Sequence, residues 1–131
     1  MLVDTSGLLA LIDKREPLHQ TAFGFYDAAD SRLTHNYILA ELVPLCNSRG
    51  VSRSVGLDLS ARLLSDNEIE MVWVNEVLHR RALDLLFARQ DKSYSVCDAV
   101  SFVLMRDRGE TEGLTTDRHF KEEGFIRLLA P

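Results

Sequence analysis

The chain has 131 residues, 46% of them apolar and 27% charged, with a formal net charge of −5. This length fits one domain, 1–131, with little room for a second, and it can bury a core without disulfide support. No apolar run approaches the roughly 18 residues that cross a bilayer, and the acidic balance speaks against a general nucleic-acid binder, which is usually basic. That last objection weakens if several acids gather at one site and divalent ions meet their charge. The opening MLVDTSGLLALID carries acids where a signal peptide carries Lys or Arg and shows no cleavage pattern, so the expected location is the cytoplasm. Cys46 and Cys97 have neither a zinc spacing nor a redox spacing and read as small buried hydrophobes.

Residues 1–3 read as a short buried strand that runs into Asp4. Thr5 or Ser6 is placed to cap a helix over 7–14, with Gly7 weakening its start. A helix over 17–30 follows, with Ala22, Phe23 and Tyr26 at helical spacing. Residues 32–34 read as a second strand. From 36 to 48 the positions of Ile38, Leu39, Leu42, Val43, Leu45 and Cys46 predict an amphipathic helix. Pro44 inside it predicts a missing hydrogen bond and a kink.

Next come a helix over 52–65, a strand over 71–74, and a helix over 76–90 with Val77, Ala82, Leu85 and Leu86 inward. After the loop 91–95, apolar Val96, Ala99, Val100, Val103 and Leu104 predict a helix over 96–108, stopped by Gly109. A strand from Leu114 runs into Asp117, and a last strand covers 125–129. Strands separated by helices argue for a central parallel sheet with helices on both faces. The functional crevice of such a sheet lies beyond the carboxyl ends of its strands.

Four acids fall where that crevice is expected. Asp4 and Asp117 follow strands directly. Asp98 lies in the first turn of the helix 96–108, and Glu41 sits beside the apolar stripe of the helix 36–48. Each has an ordinary structural alternative: a helix N-cap for Asp4, a contact with the helix dipole for Asp98, a solvated stripe edge for Glu41. Taken together they match the needs of a hard divalent ion, which prefers carboxylate oxygens and water. Phosphodiester hydrolysis uses such an ion to activate water and offset phosphate charge.

The motifs themselves resemble a known family. MLVDTSGLLAL resembles the opening of PIN domains, NYILAEL their second motif, YSVCDAVSFVLMRDRG their third, and LTTDRHFKEEGF their fourth. Together these run from residue 2 to residue 125. The resemblance implies a PIN-like (Rossmann-like) three-layer sandwich and an Mg²⁺- or Mn²⁺-dependent endoribonuclease with Asp4, Glu41, Asp98 and Asp117 at the metal. A single PIN domain of this length is similar to VapC toxins of toxin–antitoxin pairs. That similarity implies a homodimer, RNA as substrate, a small antitoxin as partner, and no membrane. The chain departs from some relatives at His119, where they carry a further acid; the departure leaves one metal or two open.

Around the acids, Thr5, Ser6, Ser101 and Thr116 are candidate supporting hydroxyls. Ser101 is three residues after Asp98 and so shares its helix face. Arg49, Arg53, Lys92, Arg118 and His119 are candidate RNA contacts, with a structural role favoured for His119. Tyr94 is read as core in preference to a base-stacking platform. His19, His35 and His79 have no partner legible in the sequence.

Two other readings remain at this point. One is a stand-alone PIN domain that binds RNA or a protein without a toxin role. The other is a phosphoryl-transfer α/β domain, against which stands Ser6 in place of the second acid of a DxD motif. The lack of GxGxxG after the first strand speaks against a dinucleotide-binding enzyme.

Overall fold

The computed structural model describes residues 1–130. Pro131, the last residue of the expected domain, lies outside them. Five strands form one parallel sheet: β1 (Leu2–Val3), β2 (Leu33–His35), β3 (Glu70–Val72), β4 (Glu112–Leu114) and β5 (Ile126–Arg127). Their spatial order is β3-β2-β1-β4-β5. Helices α1 (Thr5–Ile12) and α2 (His19–Ala28) connect β1 to β2, and α3 (Asn36–Ser48) and α4 (Arg53–Leu63) connect β2 to β3. Helices α5 (Glu76–Ala88) and α6 (Val96–Arg108) lead back to β4, and α7 (Arg118–Glu122) leads to β5.

The chain steps outward from β1 to β3, then returns across the sheet to β4. Right-handed crossovers therefore put α1–α4 on one face and α5–α7 on the other. The helix contacts agree: α1 packs on α2 and α3, and α3 on α4, while α5 packs on α6 and α6 on α7. The expected α/β sandwich with helices on both faces is the observed fold. The strand order reverses between β1 and β4, so the crevice opens at their carboxyl ends.

Helix α6 is the central helix of its layer. Every residue from Cys97 to Met105 is buried, which explains a nearly all-apolar sequence lacking one clear stripe. Its start is a capping box: Asp98 N–H donates to Ser95 Oγ at 3.0 Å, and Ser95 N–H to Asp98 Oδ2 at 3.0 Å. Its end is Gly109, at φ 66°, a conformation glycine adopts without strain.

Helices 36–48 and 96–108 stand as the sequence predicts. Others shift for identifiable reasons. Helix α1 begins at Thr5 with Asp4 as its N-cap residue, so neither Thr5 nor Ser6 caps it. Pro44 does not end α3; the N–H it lacks is the one that would reach the Ala40 carbonyl, and both residues line a cavity wall. Strand β4 ends at Leu114, leaving Thr115 and Thr116 between the strand and Asp117. Val77 is 66% exposed and Phe23 56% exposed. Leu78 takes the inward place expected of Val77, four residues before the expected Ala82 on one face, while Leu85 and Leu86 pack against the core as expected.

Gly7 has a positive role. A Cβ there would collide with the Leu114 carbonyl oxygen. The same oxygen accepts the Asp4 N–H at 3.2 Å. The bare Cα thus lets the first turn of α1 lie against β4 and holds Asp4 beside the Thr115–Asp117 segment.

Candidate functional site

Asp4, Glu41, Asp98 and Asp117 line one cavity of about 620 Å³ at the sheet reversal, with Thr5, Ser6 and Thr116 also on its wall. The four acids come from four separate elements. Asp4 follows β1 and is 7% exposed, Asp98 is 8% exposed in the first turn of α6, and Asp117 caps α7. Glu41 projects from α3 at the exposed lip.

A hydroxyl network fixes two of these acids. Thr115 Oγ1 donates to Asp4 Oδ2 at 2.8 Å and accepts the Asp117 N–H at 2.9 Å. Its single proton is spent on Asp4, so in the 3.2 Å contact between Ser6 and Thr115 the Ser6 hydroxyl is the donor. Ser6 Oγ also accepts the Thr116 N–H at 3.0 Å. Thr115 was not singled out in the sequence, where Thr116 beside it was. The deciding fact is the parallel register, Val3 opposite Leu114, which carries on to set Thr115 against Asp4.

His119 also turns inward. Its Nδ1 lies 3.0 Å from Asp98 Oδ2 and 3.4 Å from Asp117 Oδ1, and its Nε2 lies 3.2 Å from Ser93 Oγ. Asp98, Asp117 and His119 together bring three potential ligand atoms within 4.8 Å of one another. Ser101 does not join them. Although one helical turn from Asp98, it reaches under the sheet and bonds His35 Nε2 at 2.8 Å. Burial holds His35 far down, at about 3, so it is neutral, and its Nδ1 accepts the Ile38 N–H to cap α3. The other two histidines also have partners: His19 with the Ala10 carbonyl and His79 with the Tyr37 hydroxyl.

The electrostatics are those of uncompensated negative charge. Burial pushes the Asp4 carboxyl up to about 7. The Thr115 hydroxyl and the Thr5 N–H oppose this, while Asp98 and Asp117 reinforce it. Asp98 is raised as well, by burial first and then by Asp117, against the Ser95 N–H and His119. Glu41 is raised by partial burial, with Asp98 and Asp117 adding to it. The Cys97 thiol faces Glu41 and is pushed upward by burial and the surrounding acids, so it stays an inert buried thiol.

Among the described residues, no Lys or Arg forms an ion pair with any of the four acids. Thr5 Oγ1 is buried on the cavity wall without a hydrogen-bond partner. An acid set with no Lys or Arg, next to an orphaned hydroxyl, fits a hard divalent cation.

The candidate RNA contacts separate into two groups. Arg49, Arg53, Lys92 and Arg118 are exposed. Arg49 lies 3.7 Å from Glu16 and Arg118 3.7 Å from Glu122, both loose surface pairs. His119 instead lies within the acid cluster. Tyr94 is core: its ring packs edge-on against Phe102 and beside His119, and its hydroxyl donates to Glu123.

A parallel α/β sandwich with an acid-lined crevice at its strand reversal defines a Rossmann-like domain with an acidic centre. Residues 1–125 match the PIN domain family, and the chain belongs to it. It is similar to the 23S rRNA-specific endonuclease VapC20 of Mycobacterium tuberculosis, 29% identical over 129 residues that cover 98% of this chain and 97% of the relative. It is also similar to the ribonuclease VapC26 of the same organism, 32% identical over 126 residues that cover 92% and 89% of the two chains. The crystal structure of M. tuberculosis VapC20, described as a sarcin–ricin loop cleaving toxin, superposes with a TM-score of 0.87 at 27% identity, covering 99% of this chain and 98% of that one. No helix among the described residues is long and apolar enough to cross a membrane.

Proposed function

We propose that this protein is an Mg²⁺- or Mn²⁺-dependent endoribonuclease that hydrolyses RNA phosphodiester bonds, acting as a toxin of the VapC kind. The observation that carries the reading is the cavity itself: four carboxylates on one wall, with no Lys or Arg paired to them. Asp4, Asp98 and Asp117 would hold the ion, with Glu41 at the rim. When bound, the ion offsets charge on the scissile phosphate and lowers the pKa of the attacking water.

The chain's own residues supply the rest. Thr115 and Ser6 hold Asp4 and the Asp117 backbone in fixed relation, so these acids need little reorganisation. Glu41, on the exposed lip, is placed to orient the attacking water and take its proton as the new P–O bond forms and the ribose oxygen leaves. Arg49, Arg53, Lys92 and Arg118 would meet backbone phosphates, giving binding that weakens with salt.

Ribosomal RNA is the first substrate to try, because VapC20 is named for 23S rRNA. A toxin must be silenced in the cell that makes it. The reading therefore includes a small antitoxin, and with it a cytoplasmic homodimer.

The test is RNA cleavage by purified protein with Mg²⁺ or Mn²⁺, compared with Asp98→Asn. Asn keeps the acceptor that caps α6 and removes the charge, so the variant should fold and fail to cut. Equal cleavage by folded Asp98→Asn would overturn the assignment.

A further inference from the structure

The motif that sets this chain apart from a purely acidic centre is His119, two residues after Asp117. Its ring is only 17% exposed and is fixed on three sides. Nδ1 faces Asp98 Oδ2 and Asp117 Oδ1, Nε2 meets Ser93 Oγ, and the Tyr94 ring packs beside it with centroids 5.2 Å apart. The Ser93 hydroxyl can accept a proton from Nε2. In that tautomer Nδ1 turns its lone pair to two carboxylate oxygens, an arrangement that a cation between them stabilises; in the other tautomer Nδ1–H donates to Asp98.

The separations suit an ion. Two ligands each about 2.1 Å from a metal lie about 3.0 Å apart at right angles and about 3.4 Å apart at the tetrahedral angle. The observed 3.0 and 3.4 Å lie in this range, the shorter being also an ordinary N–H···O hydrogen-bond length. A second feature points the same way: Thr5 Oγ1, on the wall of the acid cavity, is buried and makes no well-aligned hydrogen bond.

We propose that His119 Nδ1 is itself a ligand of the divalent-ion site, alongside Asp98 and Asp117, and that this nitrogen makes the site select Mn²⁺ and later first-row ions over Mg²⁺. The proposal rests on the metal-dependent reading above and adds a donor to it. Mg²⁺ takes hard oxygen ligands, whereas an imidazole nitrogen favours transition ions in the Irving–Williams order. Ser93 is then a positioning residue that fixes the imidazole tautomer.

The test is pulsed electron paramagnetic resonance of Mn²⁺ bound to the tag-free full chain. Wild type is expected to show ¹⁴N modulation from a coordinated imidazole, absent in His119→Gln and His119→Asp. By titration, His119→Gln should bind Mn²⁺ on the order of 10–100-fold more weakly. His119→Asp replaces nitrogen with oxygen and should retain Mn²⁺ while the Mn²⁺-over-Mg²⁺ preference falls. The two variants guard against one of them failing to fold. Mn²⁺ bound to wild type with no nitrogen coupling would overturn the His119 assignment and leave the nuclease reading intact. Failure of wild type to bind Mn²⁺ or Mg²⁺ at all would overturn both.

Discussion

Two parts of this molecule bury carboxylates to the same depth and treat them in opposite ways. Glu123 is 8% exposed. Burial raises it, but Arg89, Tyr94 and Arg106 outweigh that and hold it below its ordinary value. Arg89 lies at 2.9 Å, Arg106 at 3.2 Å and the Tyr94 hydroxyl at 3.1 Å. Asp4 is 7% exposed, has no cationic partner, and is pushed up to about 7. Burial alone therefore does not tell structure from function. What separates the two is whether the chain supplies its own counter-charge. At Glu123 the fold closes on itself, tying the end of α5, α6 and the C-terminal end of α7 together. At Asp4, Glu41, Asp98 and Asp117 no Lys or Arg offers a counter-charge, and the proposed ion would supply it.

The largest way to break this contrast is to give the cavity a counter-ion of its own. Ala40 lines the cavity on exposed α3, where lysine is a good helix former. Ala40→Lys should turn the centre into a self-neutralised cluster like that of Glu123. RNA cleavage in a fixed-time gel assay should fall on the order of 10³-fold, about 4 kcal/mol of barrier, with the circular dichroism spectrum unchanged.

The pH dependence of metal-free stability is the next effect. The folded Asp4 pKa of about 7 lies above its ordinary 3.8, so the folded state binds more protons between those values. Its contribution is fully present below about pH 4, declines from there to about pH 7, and is lost above that. Metal-free protein should therefore melt lower at pH 8 than at pH 5. Asp4→Asn should recover about 3–4 kcal/mol at pH 8 while abolishing the stabilisation that Mn²⁺ gives wild type. Urea unfolding at both pH values, with and without Mn²⁺, measures this.

At the other site, Glu123→Ala strands two arginines. These side chains are 38% and 45% exposed, so solvent screens part of the loss, and about 2–3 kcal/mol of destabilisation is expected. Cleavage per folded molecule should not change. The smallest effect is Tyr94→Phe, which removes one hydrogen bond to Glu123 for about 1 kcal/mol and should leave Mn²⁺ affinity as it was.

The parts legible in the sequence were those that depend on local pattern. The helices 36–48 and 96–108 follow from periodicity, and the four acids from motif. The structure sets these acids around one cavity, as their positions at strand and helix ends imply. What could not be read depends on register and depth. Thr115 is indistinguishable from Thr116 until β4 pairs with β1. Ser101 shares a helix face with Asp98 yet bonds His35, because α6 is buried on nearly every side. Val77 is apolar and exposed, since the inward face of α5 is set by α6 and not by α5 alone. The Arg89–Glu123–Arg106 cluster joins residues 17 and 34 apart in sequence, beyond any local signal.

The central claim is that the acid cavity takes its missing positive charge from a divalent ion. Isothermal titration of Mn²⁺ into metal-free wild type and Asp98→Asn tests it most directly. The account predicts saturable binding to wild type, accompanied by proton release, and its loss in the folded variant. No binding to wild type, or equal binding by both, would contradict it.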